Sequence, residues 1–169
     1  MRVVAGRYGG RTLKAPRGRD VRPTADRVRE ALFSILGPME GLAVLDLFAG
    51  TGALGIEALS RGAASCVFVD VEPRHAQANL DALGIGAEVR RGRALSALQP
   101  GDQYDLVLLD PPYRDAARLG PELTEALPPV LRPAARVVSE SDRRHPLDLG
   151  LPLHDERRYG DTMIRIHTA

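Results

Sequence analysis

The residues best suited to chemistry begin with three glycines that follow an apolar run. Gly50, Gly52 and Gly55 fit the pattern G-x-G-x-x-G directly after residues 43–47. Glycines at this spacing permit a tight turn and let a ligand approach the bare backbone. Asp70, 20 residues after Gly50, is placed to accept hydrogen bonds from ribose hydroxyls. The pattern predicts an adenosine ligand, either a dinucleotide or S-adenosylmethionine; the alternative is an ordinary strand-to-helix turn.

A carboxylate inside the apolar run narrows the choice of ligand. Asp46 lies four residues before Gly50, and burying a carboxylate is costly unless it has partners. It can accept hydrogen bonds from N–H groups of the loop, or it can face the ammonium and sulfonium groups of a cationic cofactor. A pyrophosphate would be repelled, so Asp46 favours S-adenosylmethionine over a dinucleotide.

A second turn carries residues that suit an aromatic base. Asp110, Pro111, Pro112 and Tyr113 follow the apolar run 104–109. Two prolines fix φ and leave local carbonyls as acceptors, and a tyrosine ring can stack on a base. Such a turn can hold an exocyclic amine by its hydrogens while the Asp110 carboxylate takes a proton. Together the two turns predict methyl transfer to an amine, with guanine N2 and adenine N6 of RNA or DNA both open.

Both turns require a scaffold that brings them to one edge. From residue 42 the chain alternates apolar runs with helical patterns, and parallel strands place the turns that follow them along one sheet edge. The last two runs adjoin without a helix between them, which predicts an antiparallel hairpin. The expected fold is α/β and Rossmann-like, a mostly parallel sheet with helices on both faces and this hairpin at its C-terminal end. We expect the strands at 43–47, 66–69, 86–91, 104–109, 135–140, 153–158 and 162–167, and helices that end near residues 36 and 60, open at residue 73 and lie within 115–131.

Positive charge is concentrated at the N-terminus. Residues 1–30 hold nine basic and three acidic side chains, whereas the whole chain has a net charge of only +1. Such segregation is expected of a surface that meets phosphates; a solvated basic face is the alternative. The arginines that we expect to contact phosphates are Arg7, Arg11, Arg22, Arg27 and Arg29.

The same region predicts an extension ahead of the main domain. Residues 2–5 and 11–14 suit a β-hairpin that turns around Gly9 and Gly10, and a Pro/Gly/Arg linker follows. We therefore expect a basic extension over residues 1–23 ahead of a main domain over residues 24–169.

Composition excludes several classes of protein. The chain has 169 residues, 44% of them hydrophobic, which is ordinary globular usage. A single cysteine, Cys66, excludes an internal disulfide framework, and no Cys or His cluster has metal-ligand spacing. Neither a membrane span nor a signal peptide is apparent, so we expect a cytoplasmic protein without metal or membrane contact. The sequence contains no pattern that determines the oligomeric state, and we expect a monomer.

Four segments together resemble one family. They are residues 2–11 (RVVAGRYGGR), 22–33 (RPTADRVREALF), 46–58 (DLFAGTGALGIEA) and 159–162 (YGDT). In this combination the chain resembles the RsmD family, bacterial 16S rRNA (guanine-N2) methyltransferases within the class I S-adenosylmethionine-dependent methyltransferases. The resemblance covers essentially the whole chain and implies a seven-stranded sheet with an N-terminal hairpin extension.

The resemblance also implies a site and a partner. Residues 110–113 would hold a flipped guanine of 16S rRNA, free or in the assembling small ribosomal subunit. Related families often carry Asp or Asn where this chain has Arg93 and Ala94. Because an Arg side chain accepts no hydrogen bond, the adenine contact is expected from the Ala94 backbone. The residues implied to bind S-adenosyl-L-methionine are Asp46, Phe48, Ala49, Gly50, Thr51, Gly52, Asp70, Ala94 and Asp110.

Two other functions use the same features. A nicotinamide-dependent oxidoreductase would employ the glycine turn, but it leaves Asp46, residues 110–113 and the basic N-terminus unexplained. A non-catalytic RNA-binding module would keep the cofactor site as a relic, which the intact Asp110 argues against.

Overall fold

The computed structural model describes residues 1–15 and 26–169. The predicted linker over residues 16–23, with Arg22 and the boundary that follows it, lies outside these ranges. Within them the chain forms a seven-stranded sheet with helices on both faces, which confirms the predicted α/β fold. The strands are β1 (Ala43–Asp46), β2 (Ser65–Asp70), β3 (Glu88–Arg91), β4 (Tyr104–Leu109), β5 (Leu131–Asp142), β6 (Leu153–Tyr159) and β7 (Thr162–Thr168). The helices are α1 (Asp26–Leu36), α2 (Ala53–Ser60), α3 (Arg74–Leu83) and α4 (Ala116–Ala126).

Strand order brings the two predicted turns together. The sheet runs β3-β2-β1-β4-β5-β7-β6, and β1 to β5 pair in parallel. Because β1 has β2 on one side and β4 on the other, the winding reverses there, which is where ligands bind in open α/β sheets. The loops after β1 and β4 therefore leave one edge side by side. β7 is antiparallel to both β5 and β6, as the predicted C-terminal hairpin requires.

Alternation along the central strands divides the core into two layers. Val44 of β1 belongs to the layer that contains α1, α2 and α3, and Leu45 belongs to the layer that contains α4. Both side chains are fully buried. Successive residues of a strand point to opposite faces, so a strand covered on both faces must be apolar at consecutive positions. This is why the run at 43–47 predicts a central strand.

Residues 1–15 form an N-terminal arm that packs on the sheet domain. Arg2 and Thr12 make a single antiparallel bridge, so the predicted hairpin is reduced to one bridged pair. Val3 and Leu13 are buried in the same core layer as α1 to α3. The arm therefore contributes to the core of the sheet domain.

Buried side chains of α2 hold the arm in place. Glu57, with no exposed surface, accepts hydrogen bonds from the backbone N–H groups of Val4 at 2.7 Å and Ala5 at 3.0 Å. The Ser60 hydroxyl accepts one from the N–H of Tyr8 at 2.9 Å. Because a buried carboxylate needs partners, the arm and α2 stabilise one another.

Strand β5 begins at Leu131, four residues before the predicted start. Pro133 offers no backbone donor, and Ala134 has a positive φ of 62°. The pairing of β4 with β5 shifts register between Tyr104 and Leu106. The irregularity interrupts the strand pattern, which is why the sequence predicted only its regular second half.

Among the helices of the described ranges, none combines the length and apolar character needed to cross a membrane. Over those same residues, no group of three or more His, Cys, Asp or Glu side chains is arranged to hold a metal ion.

Candidate active site

A cleft of about 1440 Å³ opens beside the carboxyl ends of the parallel strands. Phe48 and Gly50 line it from the turn after β1, Asp70 lines it from the end of β2, and Asp110 and Tyr113 line it from the turn after β4. The structure thus brings together two turns that are some 60 residues apart in the chain. The volume is sufficient for a nucleoside-sized ligand together with a base.

The three glycines of the first turn are required for different reasons, backbone conformation at two of them and close packing at the third. Gly50 and Gly52 have φ values of 53° and 78°, which side-chain-bearing residues rarely adopt. A Cβ on Gly50 would meet nothing nearer than the Phe48 carbonyl at 4.0 Å, whereas one on Gly55 would lie 2.4 Å from the Phe68 ring. Gly50 therefore presents bare backbone toward open space, and Gly55 allows α2 to pack closely on β2.

Asp70 fastens the glycine turn to β2. Its Oδ2 accepts a hydrogen bond from the Gly50 N–H at 2.8 Å, and its Oδ1 accepts one from the Glu72 N–H at 2.8 Å. Each carboxylate oxygen has a second lone pair. Asp70 can therefore hold the turn and still receive hydroxyl donors from the cleft that it lines.

Asp46 lies beneath the cleft with 1% of its surface exposed. Its Oδ2 accepts a hydrogen bond from the Gly55 N–H at 2.9 Å. The pKa of Asp46 is raised to about 7: burial raises it most, the hydrogen bond from Gly55 lowers it, and the charge of Asp70 raises it. Of the two roles that the sequence allows for Asp46, the structure contains the first, an acceptor for the loop's own N–H.

Asp110 has two acidic neighbours, one of which the sequence analysis missed. Burial raises the pKa of Asp110 well above its ordinary value, and the charges of Glu140 and then Asp46 raise it further. Glu140 lies in β5 and is only 4% exposed. The sequence did contain a sign of this neighbour, because a glutamate lies within the apolar run predicted as a strand. Glutamate is seldom buried unless it has a partner or a function.

The Asp-Pro-Pro-Tyr turn is short and leads directly into a helix. Pro111 is buried and Pro112 is exposed, while Tyr113 begins a single 3₁₀ turn that precedes α4. The Asp115 N–H donates to the Pro112 carbonyl at 2.9 Å. That carbonyl is therefore engaged within the turn, which leaves the Asp110 side chain and the two preceding carbonyls as acceptors for an amine.

The third side of the cleft is formed after β3 by Gly92, Arg93 and Ala94. The Gly92 N–H donates to the Asp70 carbonyl at 3.0 Å, so this loop is joined to the end of β2. Ala94 is buried apart from 7% of its surface, and Arg93 is exposed. The side chains of these three residues offer no acceptor for an adenine amine, as the sequence indicates.

Some of the residues implied to bind the cofactor lie beside the cleft instead of lining it. The Ala49 N–H donates to the Val69 carbonyl at 2.9 Å, and the Gly52 N–H donates to the Ala49 carbonyl at 2.6 Å. Thr51 is 8% exposed, and its carbonyl accepts a hydrogen bond from Asn79. The predicted cofactor residues that do line the cleft are Phe48, Gly50, Asp70, Ala94 and Asp110.

The predicted RNA-contacting arginines separate into two groups. Arg7, Arg11 and Arg27 are exposed. Arg29 has no exposed surface; its guanidinium donates to Asp26 at 2.8 Å and to the Arg2 carbonyl. The prediction of a phosphate contact at Arg29 is therefore wrong, because this side chain ties α1 to the N-terminal arm.

The cleft mouth carries cationic side chains that the sequence analysis did not single out. Arg114 lines it from the 3₁₀ turn before α4, Arg118 from the first turn of α4, and Arg144 from the loop after β5. Arg118 is paired with Glu122 at 3.0 Å, whereas the Arg144–Asp142 separation is 3.8 Å. These residues are dispersed along the chain, so clustering in sequence does not reveal them.

Comparison with known proteins agrees with this fold and site. The family model described as "Conserved hypothetical protein 95" matches residues 1–168. "Putative rRNA methyltransferase YlbH" of Bacillus subtilis is 44% identical over an alignment of 125 residues, and the match covers 68% of each chain. "Ribosomal RNA small subunit methyltransferase D" of Escherichia coli is 42% identical over 120 residues, 68% of this chain and 61% of that protein.

A solved structure extends the likeness to nearly the whole chain. "Putative methyltransferase yhhF" from Escherichia coli superimposes with a TM-score of 0.85 at 35% identity, covering 99% of this chain and 97% of the other. This likeness includes the N-terminal arm as well as the sheet. The chain therefore belongs to the Conserved hypothetical protein 95 family, and the predicted membership of the RsmD methyltransferases is confirmed.

Proposed function

We propose that this protein transfers a methyl group from S-adenosyl-L-methionine to the exocyclic N2 of a guanine in 16S rRNA. The observation that carries the proposal is the single cleft lined by both the glycine turn and the Asp-Pro-Pro-Tyr turn. The names of the relatives support the reaction and the small-subunit rRNA substrate. Such a substrate also agrees with the predicted cytoplasmic location.

The residues of the cleft suit S-adenosyl-L-methionine. Gly50 offers bare backbone with open space beside it, and Asp70 offers carboxylate oxygens to ribose hydroxyls. Burial and repulsion between neighbouring carboxylates raise the pKa values of Asp46 and Asp110, so a cation in the cleft favours their ionised, negatively charged forms, whereas a pyrophosphate would oppose that charge. When bound, the cofactor supplies an electrophilic methyl group. The same charge argues against a nicotinamide dinucleotide at this site.

Asp110 is the residue proposed to handle the proton. An exocyclic amine on a purine is a weak nucleophile because its lone pair is delocalised into the ring. The Asp110 carboxylate can accept a hydrogen bond from the amine, orient its lone pair and receive the proton that the nitrogen loses. Tyr113 stacks on the base, which must leave the RNA helix to reach the cleft. Pro111 and Pro112 keep the turn rigid.

RNA binding is assigned to the basic extension over residues 1–23, joined to the catalytic domain over residues 24–169. Arg7, Arg11 and Arg27 expose their side chains for phosphate contacts. Arginines at the cleft mouth are placed to meet phosphates next to the flipped nucleotide. Basic side chains thus lie both on the arm and at the entrance of the site.

Two measurements test this function. Calorimetric titration should show binding of S-adenosylhomocysteine and none of NAD. Methyl transfer to 16S rRNA, free and within small-subunit particles, should then be located by mass spectrometry. Methylation at N6 of an adenine instead of N2 of a guanine would establish N6 chemistry, and binding of NAD in place of S-adenosylhomocysteine would overturn the methyltransferase in favour of the oxidoreductase alternative.

The Asp110→Ala variant tests the role of the second turn. It should retain S-adenosylhomocysteine binding while kcat for methyl transfer falls by at least about 100-fold, the usual contribution of a proton acceptor. Turnover at the wild-type rate would remove Asp110 from the mechanism. Glu122→Gln, which changes another acidic residue of the same cleft, is the matched control and should keep kcat near the wild-type value.

A further inference from the structure

One buried amide joins the N-terminal arm to the glycine turn. Asn79, in α3, has 1% of its surface exposed. Its Oδ1 accepts a hydrogen bond from the Lys14 N–H at 2.8 Å, and its Nδ2 donates to the Lys14 carbonyl at 3.0 Å. The same Nδ2 donates to the Thr51 carbonyl at 2.9 Å. A single side chain therefore bonds the backbone of both segments.

The three hydrogen bonds engage both N–H donors of the Asn79 amide and one of the lone pairs of its oxygen. An amide has two donor hydrogens and an oxygen acceptor, and here both donor directions go to backbone carbonyls. The face of α3 that carries Asn79 is otherwise apolar, with Ala76 and Leu80 also buried. Burying an amide is costly unless it is hydrogen-bonded, so its effect is to fix Lys14 and Thr51 relative to each other.

Thr51 receives a second contact from the arm. It lies between Gly50 and Gly52, the two positive-φ residues of the turn. Its Oγ1 is 3.7 Å from the Met1 sulfur. Met1 contacts Thr51 directly and Lys14 is connected to it through Asn79, so a displacement of the arm would change the surroundings of Thr51 at two points.

We propose that Asn79 is a positioning residue that couples the N-terminal arm to the glycine turn, so that RNA and cofactor each favour binding of the other. This inference rests on the proposed function, in which the arm meets rRNA and the turn meets the cofactor. An arm held by RNA phosphates keeps Lys14 in place, and Asn79 then keeps the Thr51 carbonyl and the adjacent Gly50 in the binding geometry. By linkage, cofactor on the turn must favour RNA on the arm to the same degree.

The measurement is the Kd of S-adenosylhomocysteine, by calorimetry, with and without a saturating full-length 16S rRNA transcript. For the wild-type protein we expect rRNA to lower this Kd by roughly 5-fold or more, the lower range of measured couplings. In Asn79→Asp the carboxylate can accept from Lys14 but cannot donate to either carbonyl, so the ratio of the two Kd values should fall toward one. Asn79→Ser, whose hydroxyl is too short to bridge both segments, is the second variant.

A control variant separates coupling from loss of stability. Thr124→Val removes the hydrogen bonds of the Thr124 hydroxyl with Gly120 and Gly150, in the opposite layer of the core. It should lower Tm yet keep the wild-type Kd ratio. Three outcomes would each overturn the coupling. The wild-type protein could have the same Kd with and without rRNA, a folded Asn79 variant could keep the wild-type Kd ratio, or Thr124→Val could have a Kd ratio of one. Absence of S-adenosylhomocysteine binding to the wild-type protein would instead overturn the proposed function.

Discussion

At the residue scale, the site is dominated by three carboxyl groups that are close enough to influence one another. Burial raises the pKa of Asp46 to about 7 and raises that of Asp110 well above its ordinary value, and Glu140 adds to the latter. Because the folded-state pKa of Asp46 exceeds that of an unfolded aspartate, the folded protein binds the proton more tightly. The contribution of protonated Asp46 to folding stability is therefore lost as the pH rises from the ordinary aspartate pKa toward about 7. A cation bound in the cleft offsets this cost, so the cluster favours a positively charged ligand.

The same cluster makes activity depend on pH. Asp110 must be ionised to accept a proton, so kcat should rise with pH through its raised pKa. Glu140→Gln removes the negative charge that most opposes ionisation of Asp110. Ionisation then becomes easier, and we expect the acid limb of the kcat profile to move to lower pH. The measurement is kcat for methyl transfer to 16S rRNA as a function of pH.

Glu122→Gln is the control for this shift, because Glu122 lines the same cleft but is paired with Arg118 at the surface. Its acid limb should coincide with that of the wild-type protein. An unmoved limb in Glu140→Gln, or one displaced to higher pH, would show that Asp110 is not the group whose ionisation limits the rate.

At the element scale, the arm depends on an unusually close approach to α2. Gly6 has a φ of 80°, and a Cβ there would lie 1.9 Å from the Ser60 carbonyl oxygen. The Arg7 N–H donates to that same oxygen at 2.7 Å. The backbone of the arm therefore rests directly on the C-terminal end of α2, at a distance that only glycine permits.

Gly10 provides a matched comparison, since its φ is 81° but a Cβ there would meet nothing within 4 Å. Gly10→Ala should lower the free energy of unfolding by about 1 kcal/mol, the cost of left-handed backbone for alanine. Gly6→Ala adds a clash with backbone that cannot move aside, so we expect the arm to detach. Limited trypsin digestion should then release fragments ending at Arg7 or Arg11 at least about ten times faster than in Gly10→Ala. Equal rates would mean that the arm docks without this contact.

Most of the elements, though not the contacts between them, could be predicted from sequence. The alternation of apolar runs and helical patterns predicts β4 at its observed bounds, because hydrophobic periodicity is a local property. The burial of Arg29 and the proximity of Glu140 to Asp110 depend on residues 27 or more positions away. No local pattern contains such information. For the same reason, the sequence could not tell which of the predicted cofactor residues line the cleft. Gly50 lines it, whereas the carbonyl of the adjacent Thr51 is hydrogen-bonded to Asn79 of α3.

At the scale of the whole molecule, charge is distributed unevenly although the net charge is only +1. Four arginines near the N-terminus are exposed within the described residues, of which Arg2 pairs with Asp26, whereas Arg7, Arg11 and Arg27 have no carboxylate partner among those residues. Several exposed arginines elsewhere are paired with carboxylates. An unpaired guanidinium releases condensed counterions from RNA when it contacts a phosphate, but a paired one is already neutralised. The N-terminal set should therefore contribute to the salt dependence of RNA affinity, in addition to the exposed arginines at the cleft mouth.

Replacing Arg7, Arg11 and Arg27 together by alanine tests this distribution. Each phosphate contact contributes about 0.7 to 0.9 to the slope of log K against log salt concentration, so the slope should become shallower by roughly two. The matched control replaces Arg132, Arg157 and Arg158, which pair with Asp105, Asp155 and Glu156 at 2.7, 3.1 and 3.1 Å. Both triple variants lose three positive charges, so a general effect of net charge would flatten the two slopes equally. A flatter slope in the N-terminal variant alone would place phosphates on the arm and the start of α1, because of these six arginines only Arg7, Arg11 and Arg27 have no carboxylate partner within the described part of the chain.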